Sequence, residues 1–184
     1  MMYALFCLGH PTVWIVGDSI VRRSRQPLDV PGRIYWKGKG GAGVCDLPDL
    51  LHSMRAPQPK IIIIHIGTND LGCTDMFSIR QRIAYYIDLC RRSYPSATLV
   101  WSAILPRLFY YGAKDQGSME HIRRSINRWA RSRCRLFGAS FLPHDLFHWQ
   151  NHALYLYDGV HLSVTGTKLL LSDFASCIAA HCAT

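Results

Sequence analysis

"IIIIHIGTND", residues 61–70, opens with four isoleucines and ends on glycine, threonine, asparagine and aspartate. A β-branched run with no polar alternation fits a strand covered on both faces, and such strands belong to parallel sheets flanked by helices. The polar tail then falls at the C-terminal end of the strand. The same design recurs on either side. Val13–Val16 runs into "GDSIVRR" (17–23), Leu99–Ile104 follows the loop "RSYPSA" (92–97), and Ile34–Trp36 and Ser140–Leu142 complete five candidate strands. Stretches of helical period separate them at Ser19–Arg25, Val44–Met54, Ser78–Tyr94, Gly117–Phe137 and Val164–His181. This alternation predicts an α/β fold, a three-layer α/β/α sandwich around a five-stranded parallel sheet.

No repeat, low-complexity tract or linker interrupts the pattern. A chain of 184 residues, 49 % of them hydrophobic, suits a single domain over 1–184 with its core at about 13–181. The formal charge of +9 marks a basic surface and raises nucleic acid as a partner class. Seven cysteines, an odd number without a CxxC pair, indicate neither a disulfide framework nor a zinc ribbon. They point to a reduced, intracellular and cytoplasmic chain. "MMYALFCLGHPT" at the start lacks a basic leader region, and no apolar run reaches the roughly 18 residues of a membrane span.

Ligands of open parallel sheets bind beyond the C-terminal ends of the strands. There the sequence places Ser19 after the first strand, the glycines of "GKGGAG" (38–43) after the second, Asn69 after the third, and "DGVH" (158–161) after the fifth. A serine hydroxyl becomes a nucleophile when a base takes its proton, and neutral histidine does this near pH 7. His161 is the candidate base. Asp158, three residues earlier, can fix its tautomer. Ester attack puts negative charge on a carbonyl oxygen, which the Ser19 N–H, a glycine-loop N–H and the Asn69 amide could receive.

In this order and on these elements, "GDSI", a glycine of "GKGGAG", "GTND" and "DGVH" resemble the four blocks of the SGNH (GDSL-like) hydrolase family of esterases and lipases, over Val13 to about Ala179. The resemblance implies a flavodoxin-like fold that needs no metal or cofactor, with Ser19 as nucleophile, His161 as base and Asp158 orienting it. It also implies an oxyanion hole of Ser19, Gly41 and Asn69, with Gly40 and Gly43 open as alternatives to Gly41. Within the family, "VWIVGDSIVRR", "IHIGTNDLG", "LVWSAILPR" and "DGVHLSVTG" look most like the esterase-like domains of vertebrate genomes, some of them in the first open reading frame of LINE-type retrotransposons.

Each feature has a plainer alternative. Ser19 alone could be a helix N-cap, and Asp18 could support the site or the start of the helix. "GKGGAG" fits the dinucleotide pattern GxGxxG, but the acidic residue expected about 20 positions on is replaced by Ile61–Ile64. His144, His148 and His152 are four apart, as metal ligands on a helix would be, yet "DLFHWQN" has no helical period and reads as a loop near the site mouth. His65 is expected as a hydrogen-bonded strand residue, and Asp70 as a brace for its loop.

Arg124, Arg128, Arg131 and Arg135 share a stripe opposite Ile122, Ile126 and Trp129. That stripe is a solvated face or a surface for nucleic acid, which Arg22, Arg23 and Arg25 could extend. Leu108, Phe109 and Tyr110, with Tyr111, could narrow an acyl pocket, as could Leu146–Tyr157. The expected function is a serine esterase for carboxylic esters of short acyl chain, acting on a small-molecule, lipid or carbohydrate ester. The alternative is a non-enzymatic esterase-like module, of retrotransposon origin, that binds nucleic acid or protein.

Overall fold

The computed structural model describes residues 11–111 and 113–183. Strands β1 (Thr12–Gly17), β2 (Arg33–Gly38), β3 (Ile61–His65), β4 (Thr98–Ser102) and β5 (Ser140–Leu142) form one parallel sheet in the order β2-β1-β3-β4-β5. Its helices are α1 (Ser19–Arg23), α2 (Leu47–His52), α3 (Met76–Ser93), α4 (Gln116–Leu136) and α5 (Val164–Cys182).

The isoleucine run supplies both cores. Ile62 and Ile64 point into one core, with Trp14, Val16, Leu99 and Trp101 of the neighbouring strands, against α2, α3 and α4. Ile61 and Ile63 point into the other, with Val13, Ile15 and Val100, against α1 and α5. Successive side chains of a strand alternate faces, so a strand sandwiched by helices must be apolar at every position. Burying one such isoleucine is worth about 1.5–3 kcal/mol. The three-layer α/β/α sandwich follows directly. Chain order reverses between β1 and β3, so the loops after these two strands diverge and leave a crevice.

Several boundaries differ from the sequence expectation. The stretch Val44–Met54 divides into a 3-10 turn at Val44–Asp46 and then α2, because Pro48 fits only the first turn of an α-helix. Strand β4 stops at Ser102, short of Ile104. The Asn127 side chain takes both backbone groups of Ile104, its Oδ1 accepting from the N–H and its Nδ2 donating to the carbonyl, each at 2.9 Å. Helix α3 begins at Met76 because Asp75 caps it, accepting from the Ser78 N–H at 2.9 Å.

The six cysteines among the described residues are all free thiols, and Cys7 lies outside those residues. No helix of the described residues is long and apolar enough to cross a membrane.

Candidate active site

Ser19 is the first residue of α1, directly beyond β1. The capping role falls to Asp18, whose Oδ1 accepts from the Ile20 N–H at 2.8 Å. The Ser19 hydroxyl is thereby left to a different partner. His161 Nε2 lies 3.1 Å from Ser19 Oγ, and His161 Nδ1 lies 2.6 Å from Asp158 Oδ2. A carboxylate can only accept, so Nδ1 carries the proton and Nε2 is free to take one from the hydroxyl.

Asp158 is held by more than the imidazole. Its Oδ1 accepts from the N–H groups of Val160 and His161 at 2.9 and 2.8 Å. Burial alone would raise this carboxyl, but the His161 ring and the two N–H donors outweigh it and lower the pKa to about 2. The carboxylate stays ionised wherever His161 is needed. The turn requires glycine at 159, where φ is +65° and an added Cβ would sit 2.5 Å from the Phe109 ring.

Asn69 lies in the turn beyond β3, at the same end of the sheet. Its Nδ2 donates to the Ala42 carbonyl at 3.0 Å, and its Oδ1 accepts from Arg107 Nη2 at 2.8 Å. These two contacts fix the orientation of the amide and leave one N–H uncommitted. Gly41, with φ +71°, is exposed on the loop between β2 and α2, and an added Cβ there would meet nothing within 4 Å. Gly43 is ruled out as an oxyanion donor because its N–H is given to Asp46 Oδ2 at 2.9 Å. Asp70, expected as a brace for its own loop, reaches instead to this one, its Oδ2 accepting from the Val44 N–H at 2.9 Å.

Arg107 was not singled out in the sequence, yet it ties the site together. Its Nε donates to Thr68 Oγ1 at 2.7 Å while its Nη2 holds Asn69. The next residue joins the opposite side of the site, the Leu108 N–H donating to the Gly159 carbonyl at 2.8 Å. The Tyr111 hydroxyl donates to the Asp158 carbonyl at 2.9 Å. Beside Arg107, Asp18 is fully buried and its Oδ2 has no hydrogen-bond partner. Burial pushes the Asp18 carboxyl up to about 7, against the Ile20 N–H and the Arg107 charge.

A second serine, histidine and aspartate lie within the fold. Ser102 Oγ is 2.7 Å from His144 Nε2, His144 Nδ1 is 2.6 Å from Asp173 Oδ2, and His65 Nδ1 is 2.8 Å from Ser102 Oγ. The His65 expectation is met. His144 differs from the expectation of a loop residue at the site mouth: it is buried, and Ser102 and Asp173 use both its nitrogens. Ser102 lies in "LVWSAILPR", a stretch that carries the family resemblance but no polar neighbours, and Asp173 lies mid-helix in α5, so neither is marked in the sequence as part of this network.

His148 lies in the loop after β5 and His152 in a 3-10 turn, so the three histidines share no helix face. Among the described residues, no group of three or more histidine, cysteine, aspartate or glutamate side chains is placed to hold a metal ion. The acyl pocket expected from residues 108–110 is corrected in part. Leu108 and Tyr110 turn into the two cores, where packing with strand and helix residues claims them, and only Phe109 and Tyr111 are exposed. Arg124, Arg128, Arg131 and Arg135 are exposed on α4, with Ile126 on the buried face.

The family model described as "GDSL-like Lipase/Acylhydrolase family" matches residues 15–169. No curated protein matches the chain in sequence. Among solved structures, a Streptococcus pneumonia protein described as a candidate platelet activating factor is similar at TM-score 0.75 and 23 % identity, over 95 % of this chain and 86 % of that one. An acetyl xylan esterase variant from Geobacillus stearothermophilus is similar at TM-score 0.68 and 18 % identity, over 92 % and 95 %. A GDSL-like lipase from Bacteroides thetaiotaomicron is similar at TM-score 0.67 and 17 % identity, over 91 % and 87 %.

Proposed function

The chain belongs to the GDSL-like lipase/acylhydrolase family, and from that membership we propose that it is a serine esterase, hydrolysing carboxylic esters of short acyl chain through Ser19, His161 and Asp158. The observation that carries this reading is the 3.1 Å approach of His161 Nε2 to a serine hydroxyl that caps nothing. Ser19 Oγ attacks the ester carbonyl as its proton passes to His161 Nε2, and the ionised Asp158 stabilises the imidazolium. The oxyanion is received by the N–H of Ser19, the N–H of Gly41 and the uncommitted N–H of Asn69. Collapse expels the alcohol, which takes the proton from His161, and leaves an acyl group on Ser19. A water activated by His161 then releases the acid. Phe109 and Tyr111, seated on the turn that carries Asp158, narrow the acyl side.

Turnover of p-nitrophenyl acetate, butyrate and octanoate tests the proposal. Wild type should prefer the acetate, and Ser19→Ala and His161→Ala should each be inactive while remaining folded. Equal turnover by Ser19→Ala would overturn it.

A second reading is supported by the four exposed arginines of α4. It is an esterase-like module that binds nucleic acid or protein, similar to the domains of LINE-type retrotransposons. A well-folded wild type that turns over no ester yet binds RNA after Ser19→Ala would favour it.

A further inference from the structure

Three of those arginines border a concave surface. Arg124, Arg128 and Arg131 line one wall of a groove of about 580 Å³ between α4 and residues 143–150, and Phe141, His148 and Trp149 belong to the other wall. Neither Ser19 nor His161 lines it. Among the described residues, Arg124 and Arg128 have no ion pair or hydrogen bond, and Arg131 only stacks, its guanidinium 5.2 Å from the Phe141 ring centre. The groove carboxylates do little to offset them. Glu120 is taken by Arg123 at 2.6 Å, and Asp145 is exposed to solvent. Like charges three and four residues apart repel along a helix, so this wall is poised for an anion that would relieve it.

The opposite wall narrows the ligand class. Trp149 lines the groove, is half-buried and makes no hydrogen bond or ring contact with the described residues, so the exposed part of its indole is the groove's stacking surface. At a rise of about 1.5 Å per residue, Arg124 and Arg131 stand about 10 Å apart along the helix axis. At the roughly 3.4 Å interval of one stacked strand that distance spans about three intervals, so the three arginines lie along a run of about four phosphates. We infer that the groove binds single-stranded nucleic acid, with the arginines along its phosphates and an unpaired base on Trp149. A duplex hides its base faces in the stack and would leave Trp149 unused. A bilayer would be held off by the groove walls. The inference does not rest on the esterase reading, and its readout is separate from ester turnover.

Fluorescence anisotropy of a labelled 12-nucleotide oligouridylate, measured between 50 and 200 mM KCl, tests this. Binding should weaken with salt at a log–log slope of about −2, as three single-strand phosphate contacts require. Joint substitution R124Q/R128Q/R131Q should weaken it at least tenfold and flatten the slope. Trp149→Ala should weaken it roughly tenfold at unchanged slope, and Trp149→Phe should restore it. A duplex of equal length should bind less tightly. Arg128→Glu alone is the second variant, for use if the triple variant melts early. Oligouridylate binding unchanged in these variants, equal binding of duplex, or binding only to phosphatidylserine vesicles would each overturn the inference.

Discussion

Among the described residues, two places bring a serine, a histidine and an aspartate within hydrogen-bonding distance, and they differ in what each leaves free. Around Ser19 the serine–histidine and histidine–aspartate separations are 3.1 and 2.6 Å, and around Ser102 they are 2.7 and 2.6 Å. By distance alone the second trio is the tighter. Ser102, however, has no solvent exposure and is bonded to His65 as well as His144. Asp173 accepts from His144 Nδ1–H, so His144 Nε2 accepts from the Ser102 hydroxyl, which in turn accepts from His65 Nδ1–H. Every proton is spent on holding β3, β4, the loop after β5 and α5 together. Ser19, at the start of a helix, keeps a residual exposure of 9 %, and its hydroxyl is bonded to His161 alone, while Asn69 beyond the next strand has one amide N–H left over. A triad is defined by what is left free for substrate as much as by what is bonded.

The sharpest separation of the two trios comes from matched substitutions. Ser19→Ala should lower kcat by roughly 10⁴-fold or more and leave the melting temperature unchanged. Ser102→Ala should leave kcat within a small factor and lower stability by about 1–3 kcal/mol, because two buried histidine nitrogens lose their partner. Denaturant titration beside ester kinetics reads both. Next in size, Asn69→Ala should cost about 10²–10³ in kcat with little change in KM, as removal of an oxyanion donor does. An effect on KM alone would move Asn69 out of that role.

Gly159→Ala bears on the turn that exists only at the Ser19 site. It forces a φ of +65° on a side chain that would meet Phe109 at 2.5 Å. A loss of about 2 kcal/mol is expected, with reduced turnover as Asp158 and His161 shift. The smallest effect belongs to the buried trio. Burial, reinforced by the nearby His144, lowers the His65 pKa from 6.5 to about 3. The unfolded chain therefore gains a proton below pH 6.5 that the folded chain refuses, and stability falls as pH drops from 6.5 toward 3. At pH 5.5 this amounts to on the order of 1 kcal/mol. His65→Asn, which keeps a donor near Nδ1 without the titration, should flatten that slope in urea titrations run across the range.

The difference between the trios also explains which of them can be seen in the sequence. Ser19, Asn69, Asp158 and His161 each sit in a short polar segment just beyond an apolar run or turn, and the rule that ligands gather at strand C-termini brings them together without coordinates. Ser102 closes a strand as well, but no polar motif surrounds it in "LVWSAIL", and Asp173 lies mid-helix in α5. Their meeting depends on how α5 and the loop after β5 pack on the sheet, and local pattern carries no information about that. Arg107 is hidden in the same way. Its importance comes from reaching Thr68 and Asn69 across the crevice, a contact that no spacing in the chain anticipates. Leu108 and Tyr110 show the converse error, since an aromatic and apolar cluster after a strand suits a pocket or a core equally well until the backbone direction is known.

Of the two serines, Ser19 and not Ser102 should be the reactive one. Labelling the intact protein with a fluorophosphonate and mapping the adduct by peptide mass spectrometry tests it most directly. A single adduct on Ser19 is expected, lost in His161→Ala and retained in His144→Ala protein that remains folded. An adduct on Ser102, or a folded wild type that takes no label at all, would contradict it.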